Sequence, residues 1–131
     1  MDAPPLPLLV VDAANVVGSV PDGWWRDRRG AAERLRDGLV PYAETGVAGL
    51  PGPVEVVLVV EGAARGVTEV PGVRVVAADG SGDDRIVAVV AEAAERDPDR
   101  RVLVVTADRA LRERVHRHGA ATAGPRTVRP V

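Results

Sequence analysis

Runs of apolar residues alternate along this chain with segments in which apolar residues recur at helical spacing. The Val- and Leu-rich runs predict strands over 6–11, 54–60, 73–77 and 101–106. Helices are predicted over 24–40, 83–96 and 108–118, with Gly119 as a C-cap, and loops over 12–18 and 46–53. The tail from Ala120 is expected to add a short edge strand before Pro125. This alternation favours βαβ units and a mostly parallel sheet, so we predict one α/β domain over 1–131.

Carboxylates follow three of the predicted strands. Asp12 follows the first directly, Glu61 follows the second, and Asp108 lies two residues beyond the last. Asp83 and Asp84 open a helix after a Gly-Ser-Gly loop. Because the carboxyl ends of parallel strands share the edge where α/β sheets bind ligands, these acids are expected to meet there. Carboxylates brought together repel unless a divalent cation lies among them, so the pattern predicts a metal-dependent site.

Each acid also has a purely structural interpretation. Asp12 could bind nearby backbone amides in a turn. Ser81 and Asp84 fit a capping box, which explains one of the paired carboxylates but not both. Asp108 is a favoured N-cap residue before a helix, and Glu61 could be an ordinary surface acid. Only the joint placement at one sheet edge favours the metal site.

The composition excludes several kinds of chemistry. The 131 residues include no Cys, no Lys and two His, so thiolate sites, disulfides and lysine-dependent mechanisms are ruled out. A phosphate-binding P-loop requires a lysine, and no Gly-x-Ser-x-Gly nucleophile motif occurs. The net charge of −2 excludes a broadly basic nucleic-acid binder, so contact with a polyanion requires a local arginine patch. The N-terminal stretch lacks the features of a signal or membrane segment, which predicts a cytoplasmic protein that binds no membrane.

Four segments resemble motifs of NYN domains, which belong to the PIN-like nuclease superfamily. Residues 10–16, Val-Val-Asp-Ala-Ala-Asn-Val, resemble the opening Val-Asp-Gly-x-Asn-Val. Residues 80–86 resemble Gly-x-Ala-Asp-Asp-x-Ile, and residues 104–111 resemble Val-Val-Thr-Ser-Asp-x-x-Leu. Residues 59–62 stand where the family often has Val-Phe-Asp-Gly. The order and spacing of the four are most similar to the short, single-domain YacP-like branch.

The resemblance implies a PIN-like three-layer αβα sandwich and a Mg²⁺- or Mn²⁺-dependent endoribonuclease. The core acids would be Asp12, Asp83 and Asp108, which would also ligate the metal. Asp84 and Glu61 would be accessories, Glu61 as a further metal ligand, and Asn15 would orient the first loop and the Asp12 carboxylate. The chain departs from the family at Ala13 for Gly, Ala107 for Ser and Glu61 for Asp. The extra methylene of Glu61 calls its ligand role into question, and Ala107 removes a hydroxyl that could support the site.

Arginine must supply the RNA contacts of such an enzyme, since its planar fork suits phosphate. The candidates lie near the predicted acidic edge: Arg26, Arg28, Arg29, Arg85, Arg109 and Arg112. Solvated helix faces are the alternative interpretation of each. Trp24 and Trp25 could stack on a splayed base, with a core position as the alternative.

Two other functions remain open. One is a catalytically weak or inactive PIN-like module that binds RNA or a protein. The other is a phosphoesterase for small nucleotides. Single-stranded or unstructured RNA is the expected partner, and a homodimer is retained as a further candidate assembly.

Overall fold

The structure is a computed structural model that describes residues 4–129. Its elements run in chain order as β1 Leu8–Asp12, α1 Ala13–Gly18, α2 Arg28–Leu39, α3 Tyr42–Thr45, β2 Gly46–Val47, β3 Leu50–Pro51, β4 Glu55–Val60, β5 Val73–Ala77, α4 Gly82–Arg96, β6 Val102–Val105, α5 Arg109–His116 and β7 Ala121–Ala123. Single 3₁₀ turns occupy Trp24–Arg26, Gly62–Ala64 and Pro125–Thr127.

The central sheet has five strands in the order β5-β4-β1-β6-β7, and every neighbouring pair is parallel. All five residues of β1 are buried because the strand lies in the middle of the sheet. β2 and β3 form a separate antiparallel pair. The predicted α/β class and parallel sheet are therefore confirmed, including the short edge strand before Pro125.

Successive residues of each strand point to opposite faces of the sheet, which produces two cores. Leu9 and Val11 of β1 pack on one face with residues of α1 and α2. Leu8 and Val10 pack on the other face with residues of α4 and α5. Two helical layers thus cover a largely valine sheet, as the three-layer αβα prediction requires.

Two segments predicted as loops are ordered elements instead. Asp12 ends β1 and caps α1, whose Ala13, Val16 and Val17 are buried against the sheet. The Gly/Pro-rich stretch 46–53 contains the β2–β3 hairpin. At Gly46, which has φ +69°, a Cβ atom would collide with the Leu50 carbonyl, so only glycine permits this close pairing. Both predictions were wrong because short apolar stretches at a strand end or between glycines carry no clear period.

The helix predicted over 24–40 begins later. Trp24–Arg26 is a 3₁₀ turn, and Asp27 caps α2 by accepting a bond from the Gly30 amide at 2.9 Å. Tyr42, beyond the predicted helix, belongs to the separate α3 that follows Pro41. The predicted α4 and α5 are confirmed to within two residues at each end, with Ser81 and Asp108 as their N-caps. Gly119, at φ +85°, ends α5 as expected.

The register brings the predicted acids to one edge. Asp12 lies beside Val59, which is two residues before Glu61 in the chain. Val11 lies beside Val105, which is three residues before Asp108. Within residues 4–129 no helix is long and apolar enough to cross a membrane.

Candidate active site

Asp12 is the buried carboxylate of this edge, with 4% of its surface exposed. Its Oδ1 accepts a hydrogen bond from the Asn15 amide at 3.3 Å, and its Oδ2 accepts one from the Thr106 hydroxyl at 2.9 Å. The two bonds fix the orientation of the carboxylate at the end of β1. A carboxylate held in this way on the central strand cannot move without disturbing the sheet.

Thr106 connects two of the acids. While its hydroxyl donates to Asp12, the same oxygen accepts a bond from the Asp108 amide at 3.1 Å. The side chain is fully buried just beyond β6. Thr106 was not among the predicted site residues. The sequence feature that could have identified it is a hydroxyl side chain that directly follows an apolar run and lies two residues before Asp108.

Asn15 ties the first acidic segment to the last. Its side-chain Oδ1 accepts a bond from the Ala107 amide at 2.8 Å, while its backbone amide donates to the Asp12 carboxylate. The side chain thus holds the loop that leads into Asp108. Asp108 in turn accepts a bond from the Leu111 amide at 3.0 Å through Oδ1, as an N-cap does.

Asp83 lies in the first turn of α4, partly buried, near the other acids. The adjacent Asp84 is exposed and points to α5, where its carboxylate pairs with Arg114 at 2.9 Å. Arg114 was also missed, because its partner lies thirty residues away on another helix. Asp84 thus links α4 to α5. The neighbouring Asp83 instead interacts electrostatically with Asp108 and Glu61.

Glu61 reaches the start of α4 with its longer side chain. Its Oε2 accepts a bond from the Gly82 amide at 2.9 Å. This contact satisfies one of the free amides at the N-terminus of α4 and places a negative charge at the favourable end of the helix dipole. The structure therefore gives the extra methylene of Glu61 a role: it anchors the turn that carries Asp83.

Two acids of the site, Asp12 and Asp83, have raised pKa values. Burial, assisted by the charges of Asp83 and Glu61, raises the pKa of Asp12 from 3.8 to about 6, against the opposing effect of the Thr106 and Asn15 bonds. Burial and the charges of Asp108 and Glu61 also raise the pKa of Asp83, which Arg114 partly offsets. The charges of Asp83 and Glu61 thus act on Asp12, and those of Asp108 and Glu61 act on Asp83, at the sheet edge where the sequence predicts that these acids meet.

The acids offer the oxygen ligands that hard divalent cations prefer, but they do not surround a metal position completely. Every candidate ligand is a carboxylate oxygen, the type that Mg²⁺ and Mn²⁺ prefer. Within residues 4–129, no three or more His, Asp or Glu side chains are arranged to hold a metal ion as they stand. Mg²⁺ needs only one or two direct carboxylates and keeps several waters. The residues thus fit an open, water-rich site and do not fit a fully protein-ligated one.

Four of the six predicted arginines have neighbours of three kinds. Arg26 and Arg28 lie over the rings of Trp25 and Trp24, at 6.0 Å and 5.4 Å from the ring centroids. Arg112 is occupied structurally, since its Nε donates to the Thr106 carbonyl at 2.9 Å. Arg85 lines a cleft with Glu55 at the start of β4, the opposite end of the sheet from Asp12.

The other two predicted arginines are Arg29 and Arg109. Arg29 lies beside Gly66, beyond the 3₁₀ turn that follows Glu61. Arg109 is exposed in the first turn of α5, next to Asp108. Of the predicted arginines, Arg28 lines a cleft together with Glu61, and Arg109 directly follows Asp108 in the chain. Arg85 lines a different cleft along α4.

Comparison with known proteins supports the fold. No family model matches the chain, and no curated protein matches it in sequence. Two crystal structures of Rae1 (YacP) from Bacillus subtilis, one of them of a mutant, align with 94% of the chain at TM-scores of 0.69 and 0.70. Sequence identities are 20% and 18%, and the alignments cover 72% and 71% of those chains. The chain thus shares the α/β fold of Rae1 (YacP), and the resemblance to the YacP-like branch is confirmed at the level of the fold.

Proposed function

We propose that this protein is a metal-dependent ribonuclease that hydrolyses RNA endonucleolytically. The observation that carries the proposal is the electrostatic interaction of Asp83 with Asp12 and with Asp108, three acids that come from distant segments of the chain. Caps alone do not require a buried carboxylate whose pKa is raised to about 6. A PIN-like nuclease fold, with strand-end acids where such sheets bind ligands, is consistent with this chemistry.

Asp12 and Asp108 would hold a Mg²⁺ or Mn²⁺ ion, with Asp83 direct or through water. Such an ion supplies charge neutralisation at a scissile phosphate and lowers the pKa of water. The protein's own contribution is orientation. Thr106 and Asn15 fix Asp12 and the Asp108 loop, and Glu61 fixes the turn that carries Asp83. Because the Thr106 hydroxyl at this edge is buried and already bonded to Asp12, direct in-line hydrolysis of the phosphodiester by water is the consistent reaction.

A second candidate is a PIN-like module that binds RNA without cleaving it. The observation in its favour is the absence, within residues 4–129, of three acids placed to hold a metal ion as they stand. A site with only two direct ligands depends more strongly on the substrate to retain its metal. The two candidates therefore differ in whether the protein cleaves RNA, since both bind it.

The test is cleavage of an unstructured oligoribonucleotide, labelled separately at each end, in the presence of Mn²⁺. We expect internal cuts that chelator abolishes and that Asp12→Asn abolishes. Asp99→Asn is the matched control, since Asp99 is an exposed acid in the loop between α4 and β6. Binding without cleavage would favour the second candidate, and turnover of mononucleotides alone would indicate a phosphoesterase instead.

A further inference from the structure

A cleft of about 360 Å³ adjoins the acidic edge. Small aliphatic side chains of α1 and α2 line it, including Ala14 at an exposed position of α1. Trp24, Arg28 and Glu61 complete its wall. The volume lies at the lower end of the range for ligand-binding clefts, about 300–1,000 Å³.

The cleft is continuous with the candidate active site. Ala13, one of its lining residues, directly follows Asp12. Glu61 lines the cleft and also contributes to the raised pKa values of Asp12 and Asp83. A group seated in the cleft would therefore lie directly beside the carboxylates.

The Trp24 ring is an aromatic surface with a cation over one of its faces. It is partly buried against the core and meets Trp25 edge-on, with centroids 5.9 Å apart and an interplanar angle of 86°. The Arg28 guanidinium lies 5.4 Å from its centroid. Among the described residues Arg28 takes part in no ion pair, so its donors can serve a bound anion.

An unpaired nucleotide has the complementary chemistry. Its base offers a flat apolar face, which proteins recognise by stacking on aromatic rings and arginine planes. Its phosphate offers the anion that a guanidinium binds. We propose that the cleft binds one unpaired nucleobase of the RNA against Trp24, with an adjoining phosphate at Arg28. The proposal rests on the proposed function in taking RNA as the substrate class, and it adds the position of a base subsite.

The experiment compares binding of two probes in Ca²⁺: a short labelled oligoribonucleotide, and the same backbone with its bases removed. Wild type is expected to prefer the intact probe. Trp24→Leu should reduce affinity for that probe by about 5- to 150-fold, the loss that follows removal of one stacking partner. The abasic probe should bind both proteins equally. Trp25→Leu is the matched control, since Trp25 does not line the cleft and should keep the preference.

A second variant tests the same subsite if Trp24→Leu does not fold. Ala14→Gln narrows the cleft from its exposed rim and leaves the ring in place, so it should also abolish the preference. If either folded variant keeps the wild-type preference, the base subsite is wrong. Wild type that cleaves RNA but binds both probes equally overturns the subsite and leaves the ribonuclease standing. A base preference lost with Trp24→Leu, in a protein that never cleaves RNA, supports the subsite and refutes the nuclease.

Discussion

Asp12→Asn should stabilise the metal-free protein near neutral pH, although it removes a buried and hydrogen-bonded side chain. Burial raises the pKa of Asp12 from 3.8 to about 6. At about 1.4 kcal/mol for each pKa unit, this difference corresponds to about 3 kcal/mol lost by the folded state once the carboxyl is ionised. Asn carries no charge and avoids that loss.

The substitution also has a cost. Asp12 uses both oxygens, one for Asn15 and one for Thr106, whereas Asn has a single acceptor. One lost hydrogen bond costs about 1 kcal/mol. The expected net gain is therefore about 2 kcal/mol above the folded-state pKa. It corresponds to a rise of roughly 8 °C in Tm for a domain of this size.

The pH dependence follows from the direction of the shift. Below the unfolded pKa of 3.8 the carboxyl is protonated in both states, and the stability of the wild type is unaffected by it. As pH rises through about 6, the folded protein must release a proton that the unfolded chain has already lost, and stability falls. The advantage of Asp12→Asn should thus be full at about pH 8, and by about pH 3.5 only the cost of the lost hydrogen bond, about 1 kcal/mol, should remain.

Urea unfolding of both proteins at the two pH values, with chelator present, measures this difference directly. Asp99→Asn serves as the control for removing an exposed acid and should show no such pH-dependent gain. If Asp12→Asn were less stable than wild type at about pH 8 by the roughly 1 kcal/mol typical of a lost cap, Asp12 would be a capping residue only. A gain equal at both pH values would show that desolvation of the charge is not its cause.

Three further predictions concern neighbouring groups. Mn²⁺ should raise the Tm of wild type but not of Asp12→Asn, with about 2.7 kcal/mol gained at a hundred times Kd; equal shifts in both would place the ion elsewhere. Thr106→Val should cost about 1–3 kcal/mol in urea unfolding by leaving the Asp108 amide unpaired, while Thr106→Ser keeps most of the stability. Glu61→Asp should cost about 1 kcal/mol because the shorter side chain no longer reaches Gly82, whereas Glu61→Gln should not; identical losses would refute the anchoring role.

The sheet and its acidic edge were predictable from sequence for a physical reason. Valine-rich runs fix where buried strands end, and parallel strands place those ends together. The positions of Asp12 and Asp108 follow directly from that rule. The short α1 was not predictable, because six residues at a strand end carry too little periodicity to separate a helix from a loop.

Side-chain direction was the less predictable level. Arg85 and Asp83 lie two residues apart on α4, yet only Asp83 turns toward the acids. The rotation of a helix about its axis depends on its packing against the sheet, which a single sequence does not specify. The role of Thr106 escaped for a related reason, since its two partners meet only when β1 and β6 pair.

The position of β1 has a consequence for how the site comes apart. Asp12 belongs to a fully buried strand with neighbours on both sides, so exposing its amide to solvent requires the whole domain to open. Asp83 belongs to the first turn of a helix, held by the Glu61 and Ser81 contacts. Hydrogen exchange should therefore be slow at Asp12 and fast at Asp83. A brief fraying of α4 would then remove one acid from the cluster, while the protein remains otherwise folded.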